Sequence, residues 1–167
     1  MPAAVGLVVL LAAGLLLITR GPDSTTLRVI EGRTDQVVFE RDVDVGEEFR
    51  LAHRHSVTRR MVYETFSVLD ERTVAMEELW FDAFGANLPA GPEEVDGQRT
   101  EFIAEDGAYR VVHDGRPLGV LTVRAGSEEV DHVITFADGQ QLRLLDAVPP
   151  GGRVDVVVGD DPDPSAR

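Results

Sequence analysis

The stretch from Phe49 to Leu69 constrains this chain most. It reads FRLAHRHSV, then Thr58-Arg59-Arg60, then MVYETFSVL. Apolar and polar residues alternate on both sides of the break, the pattern of strands that bury one face. Closing the arms around Arg59-Arg60, or around Thr58 to Met61, sets Val57 opposite Val62, His55 opposite Glu64, His53 opposite Phe66 and Leu51 opposite Val68. One face then carries Phe49, Leu51, His53, His55, Val57, Val62, Glu64, Phe66 and Val68. The other carries Arg50, Ala52, Arg54, Ser56, Tyr63, Thr65 and Ser67. A slip of one residue would turn the apolar set to solvent, so the pattern opposes it.

The rest of the chain repeats this texture. Short β-rich runs occupy Thr26 to Glu31, Gln36 to Val43, Thr73 to Phe81, Thr100 to Ala104, Tyr109 to His113, Gly119 to Val123, His132 to Phe136, Gln141 to Leu145 and Val154 to Val158. Asp106-Gly107, Asp114-Gly115 and Asp138-Gly139 are hairpin signals, and Pro149-Pro150-Gly151-Gly152 is a turn. At 167 residues and 43% hydrophobic the chain suffices for one globular domain. The expectation is an all-β fold: an antiparallel β-sandwich or partly open barrel of about ten short strands over residues 25–159. Val74 to Leu79 is the one ambiguous stretch, since its Met76-Glu77-Glu78-Leu79 also reads as helix. Trp80 and Phe81 read as core, and His113 and His132, at strand ends, as surface. Asp82 to Arg99 has little strand character, and a loop of that length in a compact domain is usually functional or disordered.

The N-terminus is different. Ala3 to Ile18 is an uncharged apolar run that would span roughly 24 Å as a helix, short of a ~30 Å hydrocarbon core. No Ala-x-Ala cleavage site precedes Thr19. Residues 1–20 therefore read as one N-terminal hydrophobic helix, an uncleaved signal or membrane anchor, with the domain on the extracytoplasmic side of the cell membrane. Residues 160–167 read as a disordered acidic tail.

Charge and composition exclude several functions. Thirty acidic residues against 16 basic give a formal charge of -14, which argues against nucleic acid and against docking on anionic lipid. Every basic residue is Arg, as suits a high-salt cell or a high-GC genome. Without Cys, disulfides, thiolate nucleophiles and Cys-ligated zinc are ruled out. No P-loop, dinucleotide fingerprint or Gly-x-Ser-x-Gly occurs, and no cofactor is expected.

The polar residues on the apolar hairpin face are the candidate site. Opposed His55 and Glu64 would stand with Cβ atoms about 5 Å apart, within reach of a hydrogen bond. Three readings follow. The pair holds the hairpin together as a satisfied polar contact. It grips a ligand or partner together with Ser56 and the loop residues Gly85, Ala86, Asn87 and Pro89. Or His53, His55 and Glu64 bind a divalent metal for hydrolysis. Ser56 points away from His55 along an ideal strand, which disfavours a serine nucleophile.

His55-Ser56-Val57, then Glu64 with Phe66, then Phe84-Gly85-Ala86-Asn87-Leu88-Pro89, resemble an uncharacterised domain-of-unknown-function family of small extracytoplasmic proteins. Its members are typically encoded beside TAXI-type tripartite (TRAP) transporters, which import small acidic solutes. The family pattern often has an aromatic where His53 stands and Gly where Asn87 stands. The resemblance implies an association and not a mechanism. The leading expectation is an accessory or binding domain with transporter subunits or a solute-binding protein as partners, and the alternatives are the metal-dependent hydrolase and a purely structural envelope domain.

Overall fold

A computed structural model describes residues 24–95 and 97–159. The expected apolar segment 1–20 and acidic tail 160–167 lie outside them. No helix among the described residues is long and apolar enough to cross a membrane. The strands are β1 (Ser24–Glu31), β2 (Val37–Asp44), β3 (Glu48–Arg54), β4 (Met61–Asp70), β5 (Thr73–Phe81), β6 (Glu94–Val95), β7 (Gln98–Arg99), β8 (Glu101–Glu105), β9 (Ala108–Gly119), β10 (Leu121–Arg124), β11 (Val133–Phe136), β12 (Gln141–Arg143) and β13 (Arg153–Val158), with one short helix, α1 (Leu144–Ala147), before β13.

Two large antiparallel sheets form, in the orders β10-β13-β1-β2 and β12-β11-β3-β4-β5-β9-β8, neither closing on itself, and β6 and β7 pair as a separate two-stranded sheet. The all-β expectation holds. Leu27, Val29, Val154 and Val156 of the first sheet join Leu51, Val62, Phe66, Phe81 and Ile134 of the second in one buried cluster. Burying such side chains stabilises the fold by about 1.5–3 kcal/mol each. At one edge Phe39 of β2 stacks on Phe136 of β11 at 5.4 Å between centroids, joining the sheets. Arg41 covers the Phe136 ring at 4.4 Å and donates to Asp138.

Several expectations need correction. β3 ends at Arg54, so the β3–β4 loop is residues 55–60, longer than expected. His55 N–H donates to the Arg60 carbonyl, Arg59 N–H donates back to the His55 carbonyl, and Arg59 takes φ 62. Leu51 pairs with Glu64, His53 with Val62 and Phe49 with Phe66. His55 therefore does not face Glu64 across the ladder. The displacement is by an even number of residues, which preserves which residues share a face, so alternation alone cannot separate the two registers.

The ambiguous Val74 to Leu79 stretch is strand, within β5. β5 lies between β4 and β9. Glu77 is a bulge between the paired residues Met76 and Glu78, and Val74, Ala75 and Met76 before it are all buried. Asp114-Gly115 is no hairpin turn. It sits inside β9, with φ 52 and 71, opposite that bulge. Gln141 to Leu145 becomes three strand residues followed by α1. Phe81 is core, but Trp80 points to the opposite face and packs on Tyr63 at 5.3 Å. His113 is buried within β9 rather than at the surface. Burial and then Arg116 hold its imidazole below the ordinary range, against Glu93.

Candidate functional site

His55 leaves the ladder and turns inward. It is 7% exposed, and both ring nitrogens are committed. Nδ1 accepts from the N–H groups of Val57 (3.1 Å) and Thr58 (3.3 Å), which places the ring proton on Nε2. Nε2 donates to the Ala86 carbonyl at 2.9 Å. The ring lies directly over Gly85, where a Cβ would come within 2.6 Å of Cε1 and Nε2. The absence of a side chain at Gly85 is thus what admits the imidazole. Asn87 takes φ 68, the left-handed region that Gly and Asn accept more readily than other residues. Phe84 anchors the segment on Tyr109 at 4.2 Å. His55 therefore fastens the residue 84–89 loop to the β3–β4 loop.

These two loops, with residues 130–132 before β11, wall a cavity of about 310 Å³ on the inward face of the seven-stranded sheet. Its sheet side is His53, Val62, Glu64 and Leu79; its loop side includes Ser56, Ala86, Asn87, Leu88, Val130 and His132. Val133 pairs with Ala52, and one residue further along His132 stacks on His53 at 4.7 Å between centroids. His132 Nδ1 accepts from Gly126 N–H at 3.1 Å.

The electrostatics are unusual for an inward sheet face. The Glu64 side chain keeps 25% of its surface accessible, and burial pushes its carboxyl up to about 7. His53 Nδ1 is buried with no hydrogen-bond partner and lies 3.7 Å from Glu64 Oε1, beyond hydrogen-bond range. Burial, then His132 and His55, hold the His53 imidazole down at about 4. Burial also lowers His132, with Asp131 opposing. Near neutrality His53 is thus uncharged, beside a carboxyl close to its midpoint.

Of the residues expected at the site, His53, His55, Ser56, Glu64, Ala86 and Asn87 line the cavity. Gly85 lies beneath the His55 ring, and Pro89 is not part of the lining. His53, His55 and Glu64 do not converge on a point, because His55 Nε2 is turned to Ala86. Among the described residues no group of three His, Asp or Glu side chains is arranged to hold a metal ion. Ser56 is exposed, and His55 has no free nitrogen to take its proton. His132, expected at the surface, is instead a cavity residue. No local signal marks it, since only the β3–β11 pairing brings it beside His53.

Residues 49–144 match the family model described as Domain of unknown function (DUF1850). Neither the curated proteins nor the solved structures gave a match to the chain.

Proposed function

The chain belongs to the DUF1850 family, and from that premise we propose that it is an extracytoplasmic binding domain, held at the membrane by its N-terminal apolar segment and serving as accessory to a TAXI-type tripartite solute transporter. The cavity beside Glu64 is its ligand seat. One observation carries the binding reading: an imidazole nitrogen buried without a partner, 3.7 Å from a carboxyl, in a space of about 310 Å³. A buried polar atom left unpaired costs about 1–3 kcal/mol, and a ligand that pairs it recovers that cost. Every residue lining the cavity falls inside the family match. The transporter association and the extracytoplasmic address rest on the resemblance and on the apolar N-terminal run. The balance favours binding over catalysis, because the serine and the histidines lack the arrangement for nucleophilic attack.

Affinity capture of the full chain from detergent-solubilised native membranes tests this. Recovery of a transporter permease or solute-binding subunit is expected. Val130→Phe, which narrows the cavity from a loop, should reduce that recovery if the ligand in the cavity mediates contact. A capture free of any transporter component overturns the accessory role.

A further inference from the structure

The class of ligand follows from what faces Glu64, and it rests on the binding reading above. From β3, His53 presents its unpartnered Nδ1. From the loop before β11, His132 has its Nδ1 taken by Gly126. From the 55–60 loop, His55 has both nitrogens committed to backbone. Arg54 lines the rim but is exposed, so solvent screens it. Leu79 of β5 and residues 86–88 contribute no titratable group. Glu64 is thus a desolvated carboxyl with no arginine among the described residues salt-bridged to it, and in the His53 tautomer protonated on Nε2 the nitrogen beside it is a second acceptor.

In that tautomer the two acceptors, 3.7 Å apart, call for one donor between them. An sp³ nitrogen can stand about 2.9 Å from both. A positive charge there offsets the cost of a desolvated carboxylate, whereas a negative one adds to it. The formal charge of -14 biases encounters the same way.

We propose that the cavity binds a small organic cation, a primary ammonium on a short aliphatic chain. The ammonium donates to Glu64 Oε1 and His53 Nδ1, and the chain packs against Val62, Leu79 and Val130. With His53 held down at about 4, its lone pair is free near neutrality. With Glu64 at about 7, a fraction of the free protein carries a carboxyl proton. Binding selects the ionised carboxylate, so that proton passes to solvent.

Calorimetric titration of the full chain in detergent with propylammonium, butyrate, n-butanol and zinc, at pH 6 and pH 8 and in two buffers of different ionisation enthalpy, tests this. Propylammonium should bind about tenfold more weakly at pH 6 than at pH 8, the ratio of ionised fractions for a group at about 7, and should release protons. In Glu64→Gln the affinity should fall at least tenfold and lose its pH dependence. Proton release by the unaltered protein reads the same linkage should that variant not fold. Butyrate bound with proton uptake, or zinc bound in place of the amine, overturns the cation assignment while a binding cavity stands. Propylammonium affinity unchanged by Glu64→Gln also overturns it. No heat with any probe, together with an empty membrane capture, overturns both readings.

Discussion

Glu64 and His53 each depart from ordinary behaviour because they share one desolvated place, and their effects on stability oppose. Between its ordinary value of 4.5 and about 7, Glu64 binds a proton in the fold that it does not bind unfolded. Its contribution therefore falls as pH rises through that range. His53 is the reverse. Unfolded, it is protonated below 6.5; folded, only below about 4, so its contribution rises as pH climbs from about 4 to 6.5. The two slopes overlap from about 4.5 to 6.5 and largely offset each other. Glu64→Gln removes one of them. Urea melts of that variant should show stability rising from pH 4 to 6.5, where the unaltered protein is nearly flat. At pH 8 the variant should be the more stable by about 2–3 kcal/mol. Equal pH profiles for the two proteins would refute the assignment.

The loops carry the site, and one contact between them governs its shape. His55 fastens the 84–89 loop to the β3–β4 loop through Ala86, and Gly85 leaves room for the ring. Gly85→Ala should destabilise by about 1–3 kcal/mol through overpacking. His55→Ala should cost about 2–4 kcal/mol through lost packing and unpaired backbone groups. The double variant should lose less than the sum, because removing the ring removes the clash. Denaturant midpoints of the three proteins measure this, and strict additivity would show that the two residues do not meet. The same contact explains why the hairpin was only half legible. Its strands and faces follow from alternation, but the six-residue loop follows from where His55 finds its partners, one of which lies 31 residues onward.

At the scale of the whole molecule, acidic residues outnumber basic ones by 14. Many arginines are already paired with them, among them Arg28 with Glu40, Arg60 with Asp82 and Arg110 with Glu78. The excess negative charge repels itself in the compact state. Raising salt from about 0.01 to 0.15 M shortens the Debye length from about 30 to 8 Å, so Tm should rise. A falling Tm would mean that the exposed ion pairs outweigh the repulsion. The all-β class, the positions of β4 and β5, and the inward placement of His53 and Glu64 were all written locally, in residue-by-residue alternation and turn chemistry. Tertiary structure alone decided the register of β3 on β4, the bulge at Glu77 with Asp114-Gly115 opposite it, the partners of His55 and the stacking of His132 on His53. Alternation has a period of two, so any even displacement satisfies it, and the choice falls to contacts between residues far apart in the chain.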